Sequence, residues 1–289
     1  MDLSFRENYC DSPKLKKEFM NYLVQIFGLD LSLWDKMGFW DQRYRPFSYF
    51  DGNSIVSSVC VYSMEMTIRG KPCQVAQISA VGTLPGHRKK GLSSQLTQKA
   101  MDWARDRHDF FYLFADKDAY PFYKNCGFRL VDEYKPRISV SGNVAHPGSV
   151  KLDVQNKDHL ERIYRIASVR EPVSNVLGVS NKKLFMFWCL YALRDDIYYI
   201  PELDVLVLYK RENGLVTIFD IVGEEIPTFE KIYPHIRDRK DVAVEFLFMV
   251  DKMKPENIDW VKVRENGTHI LGNFSLENTK FIFPLTAQA

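Results

Sequence analysis

A chain of 289 residues, 46% of them hydrophobic, is long enough to bury two cores, and 39 basic against 37 acidic residues leave a formal charge of only +2. That balance lacks the concentrated positive charge that a phosphate backbone selects, so nucleic acid is not an expected partner. The charged start at Asp2, Arg6 and Glu7, and a longest apolar run of only residues 184–193 against the roughly 20 that cross a bilayer, predict a cytoplasmic protein with no membrane partner.

In chain order, residues 3–9 read as a strand and 12–28 as a helix, entered through Ser12-Pro13 and carrying Leu15, Phe19, Leu23 and Phe27 on one face. Residues 31–37 predict a short second helix. Trp34, Phe39, Trp40 and Tyr44 are aromatics that could stack on a small molecule or hold a cation, and equally could be core. Residues 55–69 and 73–84 predict a long hairpin that turns at 69–72. Its second strand stops at Pro85-Gly86, because proline lacks the ladder donor and glycine accepts turn dihedrals. A helix then opens near Gly91, with Leu92, Leu96, Ala100 and Trp103 at helical spacing.

The start of that helix is bare and basic. First-turn amides have no intrahelical partner and carry about half a positive charge. Arg88, Lys89 and Lys90 add cations directly before Gly91, whose missing Cβ lets a ligand approach the backbone. Phosphate or pyrophosphate suits that end, and a solvated basic turn would have the same composition. Residues 110–115 then read as a buried strand, and 119–128 as a short helix capped by Asp118 and closed by Gly127.

Arg88-Lys-Lys-Gly91-Leu-Ser93, after a strand and opening a helix, resembles the Arg/Gln-x-x-Gly-x-Gly/Ala pyrophosphate loop of the GNAT superfamily of N-acetyltransferases. The longer stretch Val81-Gly-Thr83-Leu-Pro85-Gly-His-Arg88 is similar to the enhanced-intracellular-survival (Eis)-like branch; Ser93 stands where the family usually has glycine or alanine. Phe122-Tyr123 with Gly127-Phe128 resembles the Phe-Tyr-x-x-x-Gly-Phe helix of the same superfamily, so the likeness covers about residues 75–134. The Arg-x-x-Gly spacing recurs at Arg211–Gly214 and Arg264–Gly267, where Asn-Gly between apparent strands signals hairpin turns instead.

Residues 128–134 predict a further strand and 141–149, rich in turn formers, a linker. Beyond it, a strand at 150–154, helices near 159–166 and 182–193, strands at 197–200, 203–209 and 215–222, a helix at 227–236 and a strand at 242–250 resemble the front of the same fold laid out again. No second phosphate loop accompanies them. The expected class is therefore α/β (α+β) with tandem GNAT-like domains, each a mixed, mostly antiparallel sheet flanked by helices: 1–140 catalytic, 150–289 without its own cofactor site. Eis-like proteins continue into a third domain for which this chain has no room.

The resemblance implies acetyl-CoA as co-substrate, a small-molecule or peptide amine as acceptor, and direct attack. Val81, Gly82 and Thr83 would meet the pantetheine arm, Arg88, Lys89, Lys90, Gly91, Leu92 and Ser93 the pyrophosphate, and Tyr123 would protonate the leaving sulfur. Trp34, Trp40, Tyr44 and Glu65 fall on the acceptor side. The strand at 74–83 carries no Asp or Glu, so the base is sought in Glu65 or in the carboxylate of Ala289, at the end of a hydrophobic tail. An acyl-CoA sensor without turnover and a homo-oligomer stay open. Five scattered cysteines (Cys10, Cys60, Cys73, Cys126, Cys189) and six unpaired histidines give no metal spacing, so no metal is expected.

Overall fold

The computed structural model describes residues 2–141, 148–263 and 267–289. Residues 142–147 of the expected linker, and Arg264, Glu265 and Asn266 of the second expected Asn-Gly turn, lie outside the described residues. The first half runs β1 (Ser4–Glu7), α1 (Pro13–Phe27), α2 (Ser32–Lys36), β2 (Tyr44–Asp51), β3 (Ser54–Ile68), β4 (Lys71–Thr83), α3 (Leu92–Ala104), β5 (Phe110–Phe114), α4 (Tyr120–Asn125), β6 (Arg129–Leu130) and β7 (Tyr134–Ser139). The second runs β8 (Val150–Lys151), α5 (Lys157–Ser168), β9 (Leu177–Val179), α6 (Lys182–Leu190), β10 (Ile197–Ile200), β11 (Val205–Glu212), β12 (Leu215–Val222), α7 (Phe229–Ile236), β13 (Ala243–Phe246), β14 (Asp259–Lys262) and β15 (Thr268–Gly272).

Local chemistry sets many of these bounds. Ser12 caps α1 by accepting from the Leu15 amide, and Gly28 ends it at φ +66°, a conformation that glycine adopts without a Cβ penalty. Arg69-Gly70 and Asn213-Gly214 both take positive φ and turn the β3–β4 and β11–β12 hairpins. Asp118, expected to cap α4, does not: it lies in a one-turn 3-10 segment, Lys117–Ala119, and Ala119 precedes the helix with no side-chain cap. The strand expected over 128–134 is two short strands in different sheets, parted where Asp132 and Glu133 leave the ladder.

Two mostly antiparallel sheets result. The first has the order β1-β2-β3-β4-β5-β15-β6, with β9 added at the end of β3; the second is β14-β7-β13-β12-β11-β10-β8. Among the described residues, only β4–β5 and β12–β13 pair in parallel. The halves exchange strands: β7 leaves the first half to lie between β13 and β14, and β15 returns from the second half to lie between β5 and β6. β14 and β15, expected to be hairpin partners, are thus in separate sheets. Gly267 has another reason to be glycine, because a Cβ there would overlap the Ala115 carbonyl oxygen at 1.7 Å while the Gly267 carbonyl accepts from the Ala115 amide at 3.0 Å.

The last nine residues start in the first core, touch the second sheet and end on the first. Phe281 and Phe283 are buried against Tyr112 and Phe274. The Leu285 amide donates to Leu247, Thr286 donates its hydroxyl to Asp220, and Trp188 donates Nε1 to the Gln288 carbonyl at 3.0 Å. Asp220 is also paired with Arg170 at 3.0 Å, and both side chains are almost wholly buried, at 1% and 3% exposure. Removing one partner of such a pair leaves a buried charge uncompensated. Asp220→Ala is expected to cost about 3–5 kcal/mol in urea unfolding, and a loss of only about 0.5 kcal/mol, the ordinary surface range, would refute that anchoring role.

Candidate functional site

The site begins where β4 and β5 part. They pair only from Val75–Phe110 to Gln77–Tyr112; past that point β5 keeps its other partner, β15, and β4 follows β3. Ser58 pairs with Gly82 and Cys60 with Ser79, so Ala80 and Val81 face Val59 alone in a bulge, with Ala80 at φ +48°. Among the described residues no strand covers β4 beyond Gln77 on its β5 side, which leaves backbone groups free for an extended ligand.

The basic loop follows at the mouth of this fork. Pro85–His87 makes one 3-10 turn, Lys89 takes φ +62° and Gly91 φ +75°, and α3 starts with no side-chain cap. A Cβ on Gly91 would meet nothing nearer than Gln95 at 3.9 Å, so space over that backbone is open. Arg88, Lys89 and Lys90 are exposed; Arg88 Nε donates to the Thr83 carbonyl at 3.0 Å and Lys90 Nζ to the Gly86 carbonyl at 3.1 Å. Both bonds use backbone acceptors, so the positive charges stay unneutralised by carboxylates there.

Neighbouring residues hold the loop. Leu92 is buried and anchors α3. Ser93 has a use for its hydroxyl, which lies 2.7 Å from that of Thr83; Thr83 is 2.8 Å from Ser57, and Ser57 bonds the Gly82 carbonyl at 3.0 Å. The chain of hydroxyls ties β3, β4 and α3 together. Gly82 answers to packing, since a Cβ there would meet Ile26 at 2.8 Å and the Tyr22 hydroxyl at 2.9 Å, both from α1. Val81 packs against the α3 side of the sheet.

Tyr123 lies on that same side, 7% exposed, with Leu96, Leu113 and Phe128. Burial pushes its hydroxyl up to about 12, with Cys126 and Asp116 adding to the shift, so the proton is retained through the neutral range. His269, delivered by β15, sets its ring 5.9 Å from that of Tyr123 and bonds the Gly267 carbonyl through Nδ1 at 2.7 Å. Sequence reading missed it, because no local motif links residues so far apart.

The aromatics named as acceptor-side residues mostly join the halves. Trp34 is buried, donates Nε1 to the Lys183 carbonyl at 2.9 Å and packs on Trp40 and Phe187. Tyr44 stacks among Phe19, Trp40 and Tyr62. Trp34 and Tyr44 also line a small apolar cavity of about 40 Å³ with Tyr62, Leu184, Phe187 and Ala289, room for a few waters. Trp40 lies under the Lys16 ammonium, 4.6 Å from its ring centre. Glu65 is exposed and opposite Gln74, toward the hairpin end of β3 and away from the fork.

Ala289 reaches the fork's apex. The Gln77 side chain brackets it, donating to its carbonyl at 2.8 Å and accepting from its amide at 2.9 Å, and the Tyr112 hydroxyl is 3.0 Å from the same Gln77 oxygen. Beside the tail a larger cavity of about 470 Å³ opens between the sheets, bordered by Phe114 and Asp116 at the end of β5, by Glu133 and Lys135, and by Phe283 and Gln288. Glu133 is 3% exposed and accepts from the Phe283 amide at 2.6 Å and the Thr268 hydroxyl at 2.7 Å. Burial outweighs both bonds and raises its carboxyl to about 7. Sequence reading passed over this residue as the end of a strand.

Among the described residues, no group of three or more His, Cys, Asp or Glu could hold a metal ion, and no helix is long and apolar enough to cross a membrane. A search among curated proteins gives no significant match. Of solved structures, a conserved protein from Enterococcus faecalis is similar at 13% identity and TM-score 0.57, over 93% of this chain and 72% of that one. A GCN5-related N-acetyltransferase from Kribbella flavida (12%, TM-score 0.55, 93% and 71%) and Eis1 from Mycobacterium abscessus (12%, TM-score 0.55, 92% and 73%) are similar in the same way. At these identities the likeness is one of fold. The sequence itself is more specific, for residues 27–131 match the family of acetyltransferase (GNAT) domains. Those residues include the fork, the basic loop and Tyr123, so it is this stretch that matches a GNAT acetyltransferase domain.

Proposed function

We propose that the protein moves an acetyl group from acetyl-CoA to a primary amine by direct attack in a ternary complex. The observation that carries this reading is the parted β4–β5 pair with the uncapped, basic start of α3 at its mouth. In this reading the pantetheine arm extends along β4 at Val81, Gly82 and Thr83. Arg88, Lys89 and Lys90, with the amides from Gly91 to Ser93, hold the pyrophosphate at a helix N-terminus. The second sheet binds no cofactor of its own, since Glu224 and Glu225 follow β12 where the basic residues follow β4. Charge of that sign repels phosphate.

The chemistry follows from what the fork can hold. Binding both reactants converts a bimolecular encounter into an oriented one. The amine lone pair attacks the thioester carbonyl carbon, the C–N bond forms as the C–S bond breaks, and the sulfur takes the Tyr123 proton. A tyrosine held at about 12 is still protonated at neutral pH when the sulfur departs. Where the chain ends at Ala289, its carboxylate attracts the incoming ammonium. Trp34, Trp40 and Tyr44 act on the acceptor only indirectly, by packing the junction of the halves, and Glu65 is left with a surface role. The cell compartment that fits is the cytoplasm, where acetyl-CoA and free amines coexist.

Coenzyme A release from acetyl-CoA across a panel of amines tests the reading directly; acetyl-CoA binding without release by any amine would mark a sensor instead. Tyr123→Phe is expected to lower kcat about 100-fold with the KM for acetyl-CoA unchanged, and equal turnover would remove its role. Arg88→Ala, by losing one charge-assisted phosphate contact, is expected to raise the KM for acetyl-CoA about tenfold while leaving kcat in place. Adding a few residues after Ala289 is expected to raise the acceptor KM, and an unchanged value would dismiss the carboxylate.

A further inference from the structure

Direct attack needs a group that accepts the proton leaving the amine nitrogen, and β4 carries no carboxylate at the fork. We propose that Glu133 is that group, and that the cavity between the two sheets receives the acceptor as a small cationic primary amine. This rests on the acetyltransferase reading above. A terminal carboxylate such as that of Ala289 ordinarily titrates near about 3.5, too weak a base to do this well at neutral pH.

Cavity and fork share a wall. Phe114 sets its ring edge-on to Phe283 at 5.9 Å, Phe283 stacks on Tyr112 at 4.8 Å, and the Tyr112 hydroxyl lies 3.0 Å from Gln77, where the parallel pairing of β4 with β5 ends. Gln288 borders the cavity, and the next residue, Ala289, is the one Gln77 brackets. A volume of about 470 Å³ accommodates a small organic amine.

Glu133 is fixed without being used up. Each of its oxygens accepts one bond, from the Phe283 amide and the Thr268 hydroxyl, and each retains a second lone pair. The groups around it are Asp116 after β5 and Lys135 on β7, while β15 and the tail present Thr268, Phe283 and Gln288. Lys135 is already paired with Glu245 of β13 at 2.7 Å. Arg137 shares Glu245 at 3.4 Å, so the lining itself has two carboxylates, Asp116 and Glu133, against the paired Lys135, a balance that favours a cationic guest. Burial holds Glu133 at about 7, so it carries a proton below that value and is a carboxylate, able to accept, above it.

The step balances. The ammonium first sheds a proton to water; the neutral amine attacks, the proton then leaving nitrogen goes to Glu133, and the thiolate takes one from Tyr123. Glu133 returns its proton to Tyr123 through solvent, which resets both.

The test is a pH profile of kcat/KM, with an acceptor found by coenzyme A release, for the parent, Glu133→Gln and Glu133→Asp. The parent is expected to gain rate as pH rises through about 7. Glu133→Gln should lose that rise and at least about 100-fold in kcat with its acetyl-CoA affinity intact, whereas Glu133→Asp keeps the rise at reduced kcat. A Gln variant that holds the parent's profile and rate overturns the assignment and leaves the acetyltransferase reading standing. Absence of release by the parent with every amine brings both down. If the Gln variant fails to fold, the Asp variant decides, because a longer gap to the amine must lower kcat and an unchanged kcat overturns the role.

Discussion

The parting of β4 from β5 is the constraint on which the rest of this site depends. Two parallel strands that start in register would ordinarily continue, since each unpaired amide forfeits a bond. Here both are committed elsewhere. The bulge at Ala80 and Val81 keeps β4 on β3, and β15 occupies the other edge of β5, so neither strand can swing back to close the gap. Gln77 then satisfies the apex with its side chain, using Ala289 in place of a strand. The gap is a built feature of the sheet.

The same constraint explains the second half of the chain. β15 and β7 are exchanged between the sheets, so neither half has a complete sheet alone. The second sheet repeats the parallel pair over four positions, from Leu215–Ala243 to Ile218–Phe246, and the Leu247 amide adds a bond to Ile218. β12 is followed by Glu224 and Glu225, whereas β4 is followed by Arg88, Lys89 and Lys90. The second sheet also anchors the tail: the buried Arg170–Asp220 pair grips Thr286, and from there the tail has three residues in which to reach Gln77. A buried ion pair contributes little net stability, yet it tolerates one geometry only, which suits a tether.

Much of the first half was legible because its signals are local. Ser12 and Gly28 bracket α1, Arg69-Gly70 turns the hairpin, and Gly91 opens α3 after a proline-stopped strand; each outcome is decided by a few adjacent residues. The exchange of β7 and β15 was not legible, because alternation tells a strand which face is buried but not which sheet it joins. That is why residues 260–274 read as one hairpin. Asp118 failed as a cap for a related reason: the 3-10 turn satisfied the backbone before the helix began. Gly267 looked like a turn and owes its identity to Ala115, and Gly82 has a packing reason from α1 beside any ligand contact. Glu133 and His269 acquire meaning only through partners on distant strands.

Glu133 stands where the chain leaves the first sheet for the second, and its bonds reach β15 and the tail. A carboxylate at such a crossing is buried only when both returning segments have docked, and burial is what brings its proton affinity into the range useful for catalysis at neutral pH. In a half-assembled molecule the same side chain would be solvated, with the ordinary carboxylate value near about 4.3 and little basicity. The strand exchange and the chemistry are therefore coupled through one group: the fold that completes the sheet also tunes the base, and it does so with residues contributed by both halves of the chain.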